Sequence, residues 1–239
     1  AASDKLGGGI FFFFSGHEMV GVITEMGADV TGVAMGDTVG VRCIADSCRT
    51  CSSCEDGDEH YCETGFTLSF NSQDSEGRVN YGGYASDYVV DYDYLVPIPA
   101  GADLARMAPL LCGGITVYTP LKRFNVGPGT TLCVLGVGGL GHLAIQFASA
   151  MGARVLVASR SEAKRADAKR LGAEVALDPD SEDLQAWMGQ CDLILDTISN
   201  PHDLNRWFPL LCRGGKLCLV GVPPEQLEAF PALIVFGDR

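Results

Sequence analysis

Residues 130–152 read TTLCVLGVGGLGHLAIQFASAMG, and three signals follow one another in that stretch. TTLCVLG is an apolar strand. GVGGLG, from Gly136 to Gly141, is G-x-G-x-x-G. HLAIQFASA is an amphipathic helix that runs out at Gly152. Strand, glycine turn and helix in this order predict a seat for a pyrophosphate. Gly136 permits the tight turn, and Gly138 lets the backbone approach the phosphates. Gly141 lets helix and strand pack closely, with Gly139 and Leu140 completing the loop. The helix N-terminus behind the loop supplies unpaired N–H groups and a positive dipole end.

Working outward, the downstream chain keeps the same rhythm. ARVLVAS is a strand, EAKRADAKRLG a polar-faced helix ending at Gly172, and EVALD, CDLILDT and GKLCLVGV are further strands. Strand–helix alternation predicts a parallel sheet with helices on both faces. Upstream of about residue 115 the pattern changes. MVGVITEMG, GDTVGVRC and YGGYASDYVVDYDYLVPIP alternate short strand-like runs with glycine turns, which reads as an irregular β-rich segment. The expected domains are therefore 1–115 and 116–239. There is no internal repeat and no low-complexity linker.

Which nucleotide the seat suits is decided where the second strand ends. A carboxylate there would bond a ribose 2′-OH and repel a 2′-phosphate. The chain instead carries Ser159, Arg160 and Ser161, followed by Lys164 and Arg165. Hydroxyls and cations suit a 2′-phosphate, so NADP(H) is expected over NAD(H). The plainer alternative is that Lys164 and Arg165 only form the solvated face of a helix.

A second local signal is SCRTCSSCEDGDEHYC, residues 47–62, in which Cys48, Cys51, Cys54 and Cys62 are spaced C-x2-C-x2-C-x7-C. Four thiolates can close a tetrahedral shell on one Zn2+ with sulfurs about 2.3 Å from the metal, a closed site that holds structure. The alternative is a disulfide staple. The chain length and the lack of a secretion signal speak against it, and Cys133, Cys191, Cys212 and Cys218 read as reduced core residues. A reducing cytoplasm is expected. The net charge of −13 disfavours nucleic acid and anionic membranes as partners. No apolar run approaches the roughly 20 residues of a membrane helix, and Ile10 to Phe14 is too short for a signal-peptide core. His17 and Glu18 in GHEMVG, and Cys112 in PLLCGGIT, are each ordinary alone. A catalytic zinc needs about three ligands and an open position, and spacing by itself does not join these residues.

Taken together, the motifs resemble the medium-chain zinc alcohol dehydrogenases, most closely the cinnamyl alcohol dehydrogenase branch. GHEMVGVITEMG, GDTVGVRC, the four-cysteine lobe, YGGYASDYVV, PLLCGGITVYTPLK, VLGVGGLGHLAIQFA and GKLCLVGVP carry the resemblance, from about Gly16 onward. It implies an α/β architecture: a GroES-like β-rich catalytic domain, incomplete here, then a doubly wound parallel Rossmann domain lacking its last strand. It also implies roles. His17 and Cys112 match two catalytic-zinc ligands, and Glu18 the carboxylate that exchanges into the shell. Cys48, Cys51, Cys54 and Cys62 match the structural zinc lobe. Gly136 to Gly141 match the pyrophosphate loop, and Ser159, Arg160, Ser161 and Lys164 the 2′-phosphate pocket. Thr116, Gly221 and Val222 match residues beside the nicotinamide, and Phe66 to Leu68 a part of the substrate pocket. The implied reaction is hydride transfer between a small alcohol or aldehyde and NADP(H). The family's first zinc-ligand cysteine, its proton shuttle, and the C-terminal part of its catalytic domain have no counterpart. The chain is thus expected to be shortened at both ends, with residues 1–16 matching nothing, and impaired in turnover. The other reading is a non-catalytic module that binds zinc and nucleotide. Zinc-free quinone reductase relatives fit less well, because of the lobe and Cys112. Homodimers are the family habit, and the strand that would pair lies at the shortened end.

Overall fold

The structure, a computed structural model, describes residues 16–231. The glycine and phenylalanine runs of residues 7–14, and the last eight residues, lie outside the described residues. Contacts divide the chain into two compact units, with the division between Cys112 and Gly113.

Among the described residues the first unit carries seven short strands: β1 (Met19–Val22), β2 (Thr38–Val41), β3 (Ile44–Asp46), β4 (Thr67–Leu68), β5 (Phe70–Gln73), β6 (Val79–Tyr81) and β7 (Leu95–Pro97). Antiparallel pairing orders three of them β1-β2-β7, with Val20 opposite Gly40 and Gly40 opposite Val96. The pairs β3–β4 and β5–β6 stand as two-stranded ribbons. Such ribbons are marginal alone, so other contacts must hold this unit. Two short helices, α1 (Ser52–Glu55) and α2 (Leu104–Met107), complete it.

The second unit has α3 (Gly113–Arg123), β8 (Thr131–Leu135), α4 (Gly139–Ala150), β9 (Arg154–Ala158), α5 (Glu162–Arg170), β10 (Val175–Leu177), β11 (Cys191–Asp196) and β12 (Leu211–Leu219). Every strand anticipated from the apolar runs is present, and all pair in parallel in the order β10-β9-β8-β11-β12. The order reverses between β8 and β11, so the carboxyl ends of those two strands flank a switch point. That is where doubly wound sheets place their ligands.

Alternation along β8 splits the core in two. Leu132 and Val134 pack with Val117 and Leu121 of α3, Ala144, Ile145 and Ala148 of α4, and Ala168 of α5. Cys133 and Leu135 face the other way, toward Leu184, Trp187, Trp207 and Phe208. The first face carries the α-helices, and the second is closed by short 3-10 helices, Glu182–Trp187 and Phe208–Leu210. Two tryptophans and a phenylalanine each cover roughly 150–250 Å², so these short segments suffice to close that face.

Candidate functional site

The four lobe sulfurs converge. The ligand atoms of Cys48, Cys51, Cys54 and Cys62 all lie within 4.8 Å of one another. Sγ of Cys54 is 3.9 Å from that of Cys48 and 3.4 Å from that of Cys51. A tetrahedral shell with arms of about 2.3 Å has sulfur–sulfur edges of about 3.8 Å, so the set fits one zinc. The local fold explains the convergence. Cys51 precedes α1 and Cys54 lies within it, so one turn brings them together. Cys62 follows the 3-10 turn Glu59–Tyr61. Backbone N–H groups point at the sulfurs, from Cys48 to Cys62 and from Glu63 to Cys51, each at 3.5 Å.

The electrostatics of the lobe are divided. The Thr50 N–H, then the Thr64 hydroxyl and the Cys51 N–H, bring the Cys48 thiol down to about 5. The Ser47 hydroxyl favours the Cys54 thiolate, but burial and the adjoining Cys51 and Cys62 sulfurs outweigh it and push Cys54 up to about 11. Four sulfurs this close cannot all ionise together without a cation among them.

Arg49, between the first two cysteines, pins the lobe down. It sits at φ 61° and pairs with Asp46 at 3.0 Å, Asp91 at 2.9 Å and Asp93 at 3.0 Å, while lying over the Tyr94 ring. Exposed pairs are worth about 0–1 kcal/mol each and an exposed cation–π contact about 0.5–1. Arg49→Ala should therefore lower stability by about 1–2 kcal/mol in urea titrations. The pH dependence has a definite sign. Burial raises the Asp91 carboxyl, but the Asp93 N–H and Arg49 outweigh it and leave it below its usual 3.8. The ion-pair part of the stabilisation is thus present above 3.8 and lost as pH falls below it, where the gap between variant and parent should narrow to the cation–π part. A gap that does not narrow in acid would disprove the ion-pair origin.

The second cluster gathers His17, Glu18 and Cys112, again with all ligand atoms within 4.8 Å. His17 Nε2 is 3.1 Å from Cys112 Sγ, and the imidazole stacks on Phe70 with centroids 4.9 Å apart. Gly16 makes this placement possible. It lies at φ 150°, its carbonyl accepts the Gly83 N–H at 2.6 Å, and a Cβ there would come within 2.9 Å of Gly83 N. Glu18 is exposed. Cys43, just past β2, was not among the expected residues. The neighbouring Cys112 thiol brings it down to about 7 against the opposing effect of burial. Cys112 is driven up by Cys43 first, then by burial and Glu18. Nothing in the local string GDTVGVRC announces that contact.

In the second unit, Gly136 at φ 86° ends β8 and turns the chain into α4. Thr197, just beyond β11, donates its hydroxyl to Leu135 O at 2.8 Å and closes the switch point. A Cβ on Gly138 or Gly139 would meet nothing within 4 Å, leaving open space over the loop, whereas one on Gly141 would overlap Gly136 O. Gly221 follows β12 and gives its N–H to Asp196 O at 3.0 Å. Val222 is exposed, and Thr116 is half-buried on α3. Ser159 is nearly buried, while Arg160, Ser161 and Lys164 are exposed. Lys164 lines an open cleft of about 370 Å³ with Val137, His142, Asp167, Arg170 and Leu171. Arg165, grouped above with the phosphate-facing cations, is corrected: its guanidinium turns inward onto Ser159 O, Arg160 O and Asp178. A further pair went unanticipated, His202 Nε2 to the buried Asp196 Oδ2 at 2.7 Å, at the carboxyl end of β11.

Two family models match: the alcohol dehydrogenase GroES-like domain over residues 6–100 and the zinc-binding dehydrogenase domain over residues 139–239. A probable formaldehyde dehydrogenase of Bacillus subtilis is 44% identical over 100% of this chain and 69% of its own length. The chain belongs to the zinc-binding alcohol dehydrogenase family. An NADP-dependent alcohol dehydrogenase of Mycolicibacterium smegmatis is 46% identical, over 91% of this chain and 64% of its own. Among solved structures, a cinnamyl alcohol dehydrogenase of Sorghum bicolor superposes with a TM-score of 0.92 at 40% identity, covering 95% of this chain and 66% of that one. The chain thus spans about two thirds of the length of these zinc-binding alcohol dehydrogenases. One expectation is corrected: the GroES-like match begins at residue 6, so the resemblance does not start only at Gly16. No helix among the described residues is long and apolar enough to cross a membrane.

Proposed function

We propose that this chain is an NADP(H)-linked alcohol dehydrogenase or aldehyde reductase of the cinnamyl type. Residues 1–115 would be a metal-holding domain and 116–239 a nucleotide-binding domain. The observation that carries the proposal is the His17–Cys112 pair at 3.1 Å with Glu18 beside it. An imidazole, a thiol and a carboxylate at mutual contact are a donor set that fits zinc. His17, Cys112 and Glu18 would hold that cation, and the four lobe cysteines a second, structural one. When bound, zinc supplies Lewis acidity toward a substrate oxygen. The nicotinamide supplies or accepts the hydride.

The chain's own residues do the rest. Phe70 holds the His17 ring by stacking, so one nitrogen stays aimed at the cluster. Gly136 to Gly141 leave room for a pyrophosphate, with the N–H groups of α4 behind them. Ser159, Arg160, Ser161 and Lys164 read a 2′-phosphate. Thr116, Gly221 and Val222 are proposed to lie beside the nicotinamide. Small aromatic or allylic alcohols and aldehydes are the proposed substrates, the cytoplasm the proposed location, and a homodimer the proposed assembly by family habit.

Among the described residues the donors gathered at His17 number three, one an exposed carboxylate, so the isolated 239-residue chain is expected to turn over slowly. The same contrast with the complete four-sulfur set favours a second reading, a non-catalytic zinc- and nucleotide-binding module. Metal counting, nucleotide titration and cinnamaldehyde reduction on the purified chain decide between them. The dehydrogenase reading expects two zincs per chain, NADPH bound more tightly than NADH, and slow NADPH oxidation. A single zinc with no oxidation leaves the module. Tighter NADH binding overturns the cofactor assignment, and rapid oxidation overturns the expected impairment.

A further inference from the structure

The segment proposed to read the 2′-phosphate is three residues long. Ser159, Arg160 and Ser161 join the end of β9 to the start of α5. One bond ties its start to β10, from Ser159 N to Leu177 O at 3.0 Å. What shapes the remainder comes from the next turn. Arg165 lies inside α5, its N–H bonded to Ser161 O at 3.0 Å. Its side chain doubles back beneath the loop. Nη1 lies 2.7 Å from Ser159 O, 2.9 Å from Arg160 O and 2.8 Å from Asp178 Oδ2. The Arg165 side chain is 22% exposed. Asp178, just past β10, is itself fixed, since its other oxygen accepts the Asp180 N–H at 3.0 Å.

Peptide planarity gives this clamp a consequence. In a trans peptide the carbonyl of one residue and the N–H of the next point in opposite directions. Drawing the Ser159 and Arg160 carbonyls toward one guanidinium therefore turns the N–H groups of Arg160 and Ser161 the other way. Among the described residues neither N–H meets an acceptor. Both residues are exposed, so these amides are free to meet an external anion. The Ser161 hydroxyl is occupied in capping α5, accepting the Lys164 N–H at 3.4 Å.

We infer that Arg165 is a positioning residue for the choice of NADP(H) over NAD(H): held by Asp178, it fixes the Arg160 and Ser161 amides outward for the 2′-phosphate and does not touch that phosphate itself. The inference rests on the NADP(H) reading above. It separates two cations that are neighbours in sequence. Lys164 faces the open cleft as a contact residue, and Arg165 works from beneath the backbone.

The test uses the whole chain with two probes that lack the nicotinamide, adenosine 2′,5′-bisphosphate and 5′-AMP, bound by calorimetry. The parent should prefer the bisphosphate by about tenfold or more, as charge-assisted hydrogen bonds to the extra phosphate imply. Arg165→Ala should lose most of that ratio while 5′-AMP binds within about twofold of the parent, a change under 0.5 kcal/mol that certifies the fold. Asp178→Asn is the decisive variant, because it frees a cationic Arg165 from its anchor. A positioning role predicts that the ratio falls again. A direct phosphate contact predicts that it holds or rises, which would overturn the inference. An unchanged ratio in Arg165→Ala would overturn it as well, as would a parallel loss of 5′-AMP in both variants, which marks a purely structural role. If the parent itself shows no preference, the NADP(H) reading fails and takes the inference with it. A parent preference that survives both variants leaves that reading intact and defeats the inference alone.

Discussion

Cys51→Ala should release one zinc per chain and unfold the lobe between Ser47 and Thr64, with the nucleotide-binding unit unaffected. The lobe has almost no core of its own. Neither α1 nor the 3-10 turn Glu59–Tyr61 contains a buried residue, and Cys62 is the buried member of the four-sulfur set. A helix of four residues is far below the roughly 12–15 that hold alone in water. What remains is ligation, and zinc contributes on the order of 10 kcal/mol to the folding of small cysteine sites. Cys51 is a sensitive choice because its sulfur lies 3.4 Å from Cys54 and also accepts the Glu63 N–H. Metal analysis should show the lost equivalent, and limited proteolysis should cut within residues 47–64. Titration with adenosine nucleotides should match the parent. A variant that keeps its full zinc content and resists protease would show that packing, with Arg49 and its aspartates, holds the lobe without metal.

That contrast between local and distant structure also explains what the sequence made legible. The strands of the second unit, two of its helices, α4 and α5, and the cysteine set all lie within short windows, where periodicity or spacing is the physical signal. The convergence of Cys48, Cys51, Cys54 and Cys62 follows from turns of a few residues each. His17 and Cys112 are 95 residues apart, and no spacing rule joins them. They came together in the reading only through the family resemblance. The proximity of Cys43 to Cys112 needs the end of β2 to meet the 3-10 turn Ala108–Leu111 that precedes Cys112, which no local pattern encodes. Arg165 was misread for a different reason. A Lys-Arg pair on a polar helix looks like two equivalent surface charges, yet adjacent positions on a helix lie about 100° apart. One therefore points to solvent while the other meets the loop and Asp178. The 3-10 closure of the second face was hidden because tryptophans in a segment without helical period give no periodic signal.

The glycine loop supports a prediction in which two neighbouring substitutions separate stability from binding. An added Cβ on Gly141 would overlap the carbonyl oxygen of Gly136, lie 3.0 Å from its carbonyl carbon and 3.1 Å from Thr197 Oγ1. The overlapped atom is backbone, and Thr197 is held by its own bond to Leu135 O, so nothing flexible can yield. Relief requires α4 to lift from the sheet, where Ala144, Ile145 and Ala148 are fully buried against β8 and its neighbours. Overpacking of this kind costs about 1–3 kcal/mol or more. For a chain of this size that is a fall of roughly 3–10 °C in Tm for Gly141→Ala. Nucleotide binding should fall with it, because the seat is built from the strand end and helix start that must separate. Gly138 tests the other half. Its backbone lies at φ −114°, and a Cβ there meets nothing within 4 Å. Gly138→Ala should therefore cost no more than about 1 kcal/mol, the price of a poorer helix cap. The methyl nevertheless stands in the space proposed for the pyrophosphate, so NADP(H) affinity should drop by about tenfold or more. Thermal unfolding and nucleotide titration of both variants give four numbers with a fixed pattern: both low for Gly141→Ala, binding alone low for Gly138→Ala. If Gly138→Ala binds as the parent does, the pyrophosphate does not lie over this loop. If Gly141→Ala melts with the parent, the helix has room that the Gly136 carbonyl denies it here.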